Sequence, residues 1–330
     1  MTKTYQVVGI GNAVSDVISQ SSDAFLDHMG IEKGIMQLIE RDRAEVLYGA
    51  MEGRVETPGG SVANTIAGLG MLGVKTAFVG RVADDTLGRT YASTLDDEGT
   101  AFPNPPVENA DLPTSRSMIF VSPDGERSMN TYLGISSELS AQDVPDAVVT
   151  DCEVLFLEGY LFDKDSGKEA FRAAADAAIK SGAQAGISLS DPFCVDRHRA
   201  DFRTLIRDNL SFVIGNEAEL LSLYVVDSVD AALEAASSEC DLVVCTRSGD
   251  GVSIQRGAER VDVGVETVTP VDATGAGDQF AAGFIYGLIT GADLNTCGTM
   301  GCMAASEVIS HIGPRPETDL KVQFGVKGLL

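Results

Sequence analysis

The sequence predicts an α/β protein in which a mostly parallel sheet carries helices on both faces. Short apolar runs alternate with helix-like segments in the second half of the chain, as βαβ units require. A polar residue follows several of these runs. Hydrophobic residues make up 44% of the 330, which suffices for the core of one large α/β domain or of two smaller ones.

The first half of the chain has less regular patterning than the second. Tyr5–Ile10 is a short apolar strand, whereas residues 21–51 follow no clear period. A Pro-Gly-Gly turn leads into a helix of small residues at 62–72. Further along, we expect strands at 77–79 and 117–121 and, between them, a loop rich in Pro, Asn and Asp at 100–113.

From about residue 151, strands and helices alternate. The predicted strands are 154–157, 185–189, 212–215 and 242–246, and the predicted helices are 167–181, 200–209, 229–238, 217–223 and 279–289. Binding sites in such sheets lie at the carboxyl ends of the strands. Polar residues that follow apolar runs should therefore line one edge: Asn12, Glu158, Asp191, Asn216 and Thr246.

A glycine-rich turn at a helix start is the most informative motif. Residues 272–278 read Asp-Ala-Thr-Gly-Ala-Gly-Asp. Unpaired N–H groups at a helix N-terminus attract an anion, and Gly275 and Gly277 let a ligand approach the backbone. Asp278 beside this turn can accept the proton of an attacking hydroxyl. The combination suggests phosphoryl transfer to an alcohol, although such turns are often only structural.

Composition narrows the function classes. The formal charge of −25 argues against sequence-independent binding to nucleic acid or to an anionic membrane. It does not argue against ATP. No apolar run is long enough to span a bilayer, and the N-terminus lacks a signal-peptide core, so we expect a cytoplasmic protein.

Cysteine and histidine usage disfavours metal and triad chemistry. None of the six cysteines forms a C-x-x-C pair, which is typical of core cysteines in a reducing compartment. The three histidines show no ligand spacing, so hydrolytic triads and His-rich metal sites are unlikely interpretations.

Residues 269–284, Thr-Pro-Val-Asp-Ala-Thr-Gly-Ala-Gly-Asp-Gln-Phe-Ala-Ala-Gly-Phe, resemble the C-terminal signature of the ribokinase-like (PfkB) carbohydrate and nucleoside kinases. Ala273 departs from the Thr usual at its position. The resemblance implies that Asp278 is the catalytic base and that the preceding turn is the anion hole, formed by Gly275, Ala276 and Gly277.

This resemblance extends from Val7 to about Pro316. It implies that residues 1–330 form a single catalytic domain, a ribokinase-like three-layer α/β/α sandwich with a mostly parallel central sheet and a small β lid over the acceptor. The lid would come from two insertions, at about 14–55 and 100–136. Family members are monomers or pair through their lids, so monomer and homodimer both stay open.

Two motifs resemble the acceptor site of these kinases. Asp16 matches an Asp that binds acceptor hydroxyls, and Asn12 matches a polar position of the adenosine-kinase branch; a turn cap is the alternative for Asp16. Val14 breaks the dinucleotide fingerprint G-x-G-x-x-G. The second motif resembles the N-terminal family signature and contributes Gly59, Gly60, Ser61 and Asn64. A serine nucleophile at Ser61 is disfavoured because the G-x-S-x-G elbow is incomplete.

Three segments resemble the nucleotide side. Asn216 and Glu219 form the N-x-x-E motif, which implies Mg²⁺ held partly through water; an ordinary helix start is the alternative. The phosphate and ribose loop would contain Thr246, Arg247, Gly249 and Gly251, and the adenine walls would be Cys302, Ala305 and Ile309.

Two further roles follow from the resemblance. Arg127 would reach from the lid to the transferring phosphate, with a solvated hairpin Arg as the alternative. Asp272 and Thr274 would contribute to a monovalent-cation site for K⁺, which some relatives have.

The expected activity is ATP-dependent transfer of the γ-phosphoryl group to a primary hydroxyl. The sequence around Gly59 and around Asp124 most resembles the adenosine-kinase branch, which implies adenosine as the acceptor and AMP as the product. A free pentose or hexose is the alternative acceptor, and a non-catalytic sensor and a nicotinamide oxidoreductase are weaker alternatives. The nucleobase of a nucleoside acceptor would need an apolar surface to pack against. The candidates for that surface are Phe25, Met36, Leu38 and Phe120.

Overall fold

The computed structural model describes residues 3–330, and within them the strands form two sheets. The nine-stranded large sheet contains β1 Tyr5–Ile10, β5 Thr76–Val79, β6 Thr100–Ala101, β9 Cys152–Glu158, β10 Gln184–Ser188, β11 Phe212–Asn216, β12 Leu242–Thr246, β13 Val252–Arg256 and β14 Glu259–Val263. The five-stranded small sheet contains β2 Val14–Gln20, β3 Met36–Leu38, β4 Val55–Gly59, β7 Ser115–Val121 and β8 Arg127–Tyr132.

The large sheet has the order β6-β5-β1-β9-β10-β11-β12-β13-β14. It is parallel from β6 to β12, and only the hairpin of β13 and β14 is antiparallel. The helices are α1 Asp23–Met29, α2 Arg41–Ala50, α3 Ser61–Met71, α4 Thr86–Asp97, α5 Asp146–Val149, α6 Asp165–Lys180, α7 Pro192–Asn209, α8 Glu217–Tyr224, α9 Val229–Ser237, α10 Ala276–Thr290, α11 Leu294–Val308 and α12 Leu320–Val326.

Alternating strand residues build a core on each face of the large sheet. Val8 and Leu155 pack against α5 to α9 on one face, while Val7 and Phe156 pack against α3, α4 and α10 to α12 on the other. This follows from the two-residue period of a strand, since successive side chains point to opposite faces. The result is a three-layer α/β/α sandwich, as expected.

The small sheet is covered on one face only. Met118 and Phe120 of β7 pack there against Leu26 of α1 and Leu47 of α2. Ser117 and Ile119, at the alternate positions of the same strand, face a cavity between the two sheets. The small sheet therefore forms a wall over the carboxyl ends of the large sheet.

The structure corrects the expectation for residues 21–51, which hold α1, β3 and α2. The Oγ of Ser22 accepts the Phe25 N–H, and Gly30 ends α1 in the left-handed conformation. These capping signals stand in the sequence, but the elements are too short to show a clear period.

Two other boundaries differ from the expectations. β6 lies within the predicted loop 100–113 and pairs with β5 of the large sheet, so residues 100–101 do not belong to the small sheet. Helix α7 begins at Pro192 rather than near residue 200, because Asp191 caps it and Pro192 suits its first turn. Its backbone leaves helical geometry at His198, which interrupts the periodic pattern.

The remaining predicted strands and helices are present: Tyr5–Ile10 and Leu242–Thr246 have the predicted ends, and the others differ at one end or both. All six cysteines are buried with free thiols. No helix between residues 3 and 330 combines the length and apolarity needed to cross a bilayer.

Candidate active site

A cavity of about 700 Å³ opens between the small sheet and the carboxyl ends of the large sheet. The five polar residues expected to share one edge all line it, namely Asn12, Glu158, Asp191, Asn216 and Thr246. Of the other sequence-predicted site residues, those on its wall are Asp16, Gly60, Ser61, Asn64, Glu219, Thr274, Gly277 and Asp278.

Asp278 lies in the first turn of α10, where two side chains of α3 hold its carboxylate. Ser61 Oγ donates to Oδ1 at 2.6 Å, and Asn64 Nδ2 donates to Oδ2 at 3.0 Å. Burial raises the pKa of Asp278 to about 6, against the opposing effect of these hydrogen bonds. The group is thus ionised near neutral pH and remains basic enough to accept a proton.

The turn before Asp278 has the geometry of an anion site. Gly275 has φ +80°, and a Cβ there would lie 2.6 Å from Pro314 Cα, so the position requires glycine. Ala276 begins α10. A Cβ on Gly277 would meet nothing within 4 Å, which leaves room for a ligand over the first helical N–H groups.

Arg127 extends from the small sheet to this turn and pairs with Asp272. Both side chains are buried, at 6% and 7% exposed. Asp272 also accepts the N–H groups of Thr274 and Gly313 at 3.0 Å each. Within residues 3–330, Nε and Nη2 of Arg127 have no hydrogen-bond partner, so two buried donors remain for an anion.

Asp16 lies on β2, across the cavity from the turn. Burial raises its pKa to about 7, and the positive charges of Arg127 and Arg315 oppose that shift. Gly59 must lack a side chain because a Cβ would lie 2.5 Å from the Asp16 carboxylate. Gly60 has φ +105°, and a Cβ there would lie 2.2 Å from the Asn12 carbonyl oxygen.

Glu158 is a site residue to which sequence reasoning gave only a place on the edge. Oε1 of Glu158 accepts two hydrogen bonds from Asn12, one from the backbone N–H at 3.2 Å and one from the side-chain Nδ2 at 2.8 Å. Oε2 accepts the Val62 N–H at 3.0 Å. Burial raises its pKa to about 7. The carboxylate thereby joins the end of β1 to the start of α3, which carries Ser61 and Asn64.

The N-x-x-E motif is a capping box in this structure. Asn216 and Glu219 hydrogen-bond reciprocally at 2.8–2.9 Å, and they stand at a helix start with acids in its first turn, the alternative interpretation. Both also line the cavity. One carboxylate and one amide suit Mg²⁺, which keeps most of its waters. Across residues 3–330, no cluster of three or more His, Cys, Asp or Glu side chains forms a metal site by itself.

The predicted nucleotide residues are only partly brought together. Thr246 lines the cavity, whereas Arg247 donates to the Asp250 carbonyl of its own turn, which also contains Gly249 and Gly251. A second cavity of about 480 Å³ has Cys302 on its wall. Ala305 and Ile309 are not among its lining residues, and Ala305 packs against the core of the large sheet instead.

The apolar wall of the main cavity differs from the one expected. Met36 and Leu38 line it, at 45% and 58% exposed. Phe25 and Phe120 do not, because they pack together on the opposite face of the small sheet. Phe193, at 72% exposed, and Tyr160 line the cavity from the large-sheet side. Sequence reasoning missed Phe193. The signal that could have placed it beside the cavity is the helix start at Asp191, two residues earlier.

Comparison with known proteins identifies relatives along the whole chain. The model of the pfkB family of carbohydrate kinases matches residues 33–320. A solved probable sugar kinase from Rhizobium etli is 43% identical, with each chain fully covered and a TM-score of 0.90. The adenosine kinase from Sinorhizobium meliloti is 45% identical over 98% of this chain and 99% of that one, with a TM-score of 0.89.

A more distant relative is the 5-dehydro-2-deoxygluconokinase of Geobacillus thermodenitrificans, at 28% identity over 76% of this chain and 78% of its own length. The match to the family model covers most of the chain, and the fold agrees with that of its solved relatives. The chain therefore belongs to the pfkB family of carbohydrate kinases and is a phosphotransferase with an alcohol as acceptor.

Proposed function

We propose that the protein transfers the γ-phosphoryl group of ATP to the 5′-hydroxyl of a nucleoside, and that the nucleoside is adenosine. The observation that carries this proposal is the arrangement of the main cavity. Asp278 and an anion-binding turn lie at one part of its wall, and large exposed apolar side chains form another.

The acceptor would lie between Asp278 and the small sheet. Asp16, when ionised, can accept two vicinal hydroxyls, which orients a ribose and disfavours sugars that lack them. The buried Oδ1 of Asn64 has no partner within residues 3–330 and is a free acceptor beside Asp278. A primary hydroxyl held there donates its proton to Asp278 as its oxygen attacks the γ-phosphorus; the bond from that phosphorus to the β,γ-bridging oxygen breaks and ADP leaves.

The developing charge would be stabilised by the start of α10 and by Arg127. N–H groups of the turn and the two unpaired nitrogens of Arg127 supply donors for this charge. Glu219 and Asn216 would hold Mg²⁺, which neutralises phosphate charge and aligns the phosphates when bound.

A nucleoside fits the apolar wall better than a free sugar does. Met36, Leu38, Ile119, Met129 and Phe193 line the cavity. A sugar offers hydroxyls to every side, whereas a purine has two apolar faces that such side chains can cover. The 45% identity to an adenosine kinase supports the same acceptor. A free sugar stays the second candidate, because a probable sugar kinase is 43% identical.

The test is an acceptor panel with ATP, comparing adenosine, inosine, ribose and fructose by ADP release and by mass spectrometry of the product. We expect the highest kcat/KM with adenosine and a nucleoside 5′-monophosphate as product. Preferential turnover of ribose or fructose would replace the proposal with the sugar-kinase alternative.

A further inference from the structure

A charged cluster at the edge of the main cavity joins the two segments that carry its aromatic side chains. It consists of Asp163, Arg197 and His198. Asp163 ends a 3₁₀ helix, Gly159–Asp163, that also contains Tyr160. Arg197 and His198 lie in α7, whose first turn contains Phe193. Tyr160 and Phe193 line the cavity, and so do Asp163 and Arg197 themselves.

The contacts within this cluster converge on one carboxylate. Arg197 Nη2 donates to Oδ1 and Oδ2 of Asp163 at 2.9 and 3.0 Å, and His198 Nε2 lies 2.9 Å from Oδ1. Neighbouring helical residues point about 100° apart and do not share a partner on one side. They do so here because His198 has φ −121° and ψ 22°, outside helical geometry.

The start of α7 is fixed from the other end as well. Asp191 Oδ1 accepts the N–H groups of Phe193 and Cys194 at 2.8 and 2.9 Å. Ser190, just before it, has φ +70°, a conformation that costs free energy for a residue with a side chain. The segment from Ser190 to His198 is therefore held between a strained turn and the Asp163 carboxylate, with Phe193 presented to the cavity.

We propose that Asp163 is a positioning residue for acceptor binding, which acts by holding Phe193 in the geometry that packs on the acceptor. The proposal rests on the proposed function in one respect, that the acceptor has an apolar part that uses this wall. Asp163, Arg197 and His198 hydrogen-bond to one another and not to Asp278 or to the N-x-x-E motif. Substitutions in the cluster should therefore change the KM for the acceptor rather than kcat or the KM for ATP.

The test is a double-mutant cycle between Asp163→Asn and Phe193→Ala, with KM for acceptor, KM for ATP and kcat measured for each protein. We expect Asp163→Asn to raise the acceptor KM roughly fivefold and to leave kcat and the ATP KM within about twofold. In the Phe193→Ala background the same substitution should add almost nothing. Independent, multiplying effects on the acceptor KM would overturn the proposal, because Asp163 would then not act through Phe193.

Two controls separate positioning from loss of fold. Asp165→Asn removes a carboxylate two residues away that is 93% exposed, and it should leave all three constants unchanged. Arg197→Gln disrupts the same cluster by removing the guanidinium that pairs with Asp163, and it should raise the acceptor KM as Asp163→Asn does. A parallel rise in both KM values, or an unchanged acceptor KM in both cluster variants, would contradict the proposal.

The same experiment distinguishes this proposal from the proposed function. If the unaltered protein phosphorylates a sugar and not adenosine, the proposed function fails, and the cycle is then run with that sugar. A small sugar that never contacts Phe193 should show no dependence on Asp163. A dependence that persists with the sugar but is not coupled to Phe193 would overturn the positioning role.

Discussion

Asp278 is the residue on which the chemistry depends, and its pKa sets a pH profile. It accepts a proton only when ionised, and burial raises its pKa to about 6. Lowering the pH through 6 protonates the base, so kcat should fall about tenfold per pH unit below 6 and level off above 7. Steady-state rates at saturating substrates from pH 5 to 8 test this. A kcat that stays constant down to pH 5 would contradict the role of Asp278.

The titration of Asp16 should affect the KM for the acceptor rather than kcat. Its pKa is raised to about 7 by burial, and only the ionised form accepts two hydroxyls. The KM for the acceptor should therefore rise as the pH falls below 7, before kcat changes. Asp16→Asn should show a high KM without this pH dependence. A KM for the acceptor that is the same at pH 6 and pH 8 in the unaltered protein would be inconsistent with the assignment.

Arg127 offers a comparison with a second buried arginine of the small sheet. Arg127 pairs with Asp272 beside the anion turn, whereas Arg116 pairs with Glu45 on the helix-covered face. We expect Arg127→Met to lower kcat on the order of 10²-fold, because it removes donors to the transferring phosphate. Arg116→Met should leave kcat within about twofold. Equal losses in both variants would indicate a structural role for Arg127.

The Asp272 carboxylate also bears on cation dependence. Its Oδ1 accepts the Thr274 N–H, and its Oδ2 accepts Gly313 N–H and pairs with Arg127. Protein donors thus already engage both oxygens, and a guanidinium supplies positive charge. We expect replacement of K⁺ by tetramethylammonium to change kcat less than about twofold. A strong requirement for K⁺ would restore Asp272 and Thr274 as cation ligands.

At the scale of elements, the packing of α3 on α10 aligns the groups that meet at Asp278. Gln279 is fully buried, and its Nε2 donates to the carbonyls of Asn64 at 3.1 Å and Pro314 at 2.9 Å. Gly68 of α3 provides the space, since a Cβ there would lie 2.2 Å from Gln279 Oε1. The glutamine thus joins α10 to the helix that positions Asn64 and to the turn next to Gly275.

Gly68→Ala should therefore lower both stability and kcat. The new methyl group displaces Gln279, which we expect to cost about 1–3 kcal/mol of unfolding free energy. Adding Gln279→Ala should recover part of the stability but not kcat. The control is Gly49→Ala in α2, where a Cβ would meet nothing within 4 Å, and which should be neutral or slightly stabilising. Denaturant unfolding and kcat check all three variants, and a destabilisation that Gln279→Ala does not relieve would refute the steric explanation.

The elements also show what the sequence can and cannot specify. Parallel strands follow from their apolar runs, and the shared edge follows from the polar residues after them. Which side of β7 faces the cavity does not follow, because Met118 and Phe120 are as apolar as Ile119 and the alternation has no polar side. That face is chosen by packing on α1 and α2, which are distant in sequence. The aromatic wall was predicted wrongly for that reason.

At the scale of the whole molecule, two arginines connect the small sheet to the loops that precede α10 and follow α11. Arg127 extends from the small sheet to Asp272, and Arg315 extends the other way to the Pro58 carbonyl at 2.9 Å. Motif reasoning located the turn, Asp16 and the signature around Gly60 because each motif is local in sequence. It gave Glu158 only a place on the edge and did not find Arg315 or Asp163, because their roles depend on contacts between distant segments.

The burial of carboxylates in one cleft should be visible in global stability. The pKa of Asp16, raised to about 7 when folded, lies near 3.8 as a free side chain. Between these values the folded protein binds the proton and the unfolded chain does not, so this group stabilises at low pH and loses that contribution as the pH rises to 7. The unfolding free energy of Asp16→Asn should therefore increase, relative to that of the unaltered protein, by on the order of 1–3 kcal/mol as the pH is raised from 5 to 8. A difference in unfolding free energy that does not vary with pH would contradict the burial.

The central claim is that Asp278 deprotonates an alcohol beside the terminal phosphate of ATP. The most direct measurement compares the unaltered protein with Asp278→Asn, by calorimetric binding of ATP and adenosine and by the rate of AMP formation. We predict that the variant binds both ligands with affinities within a few-fold and loses on the order of 10²–10⁴ in kcat. Near-normal turnover by Asp278→Asn would contradict the account.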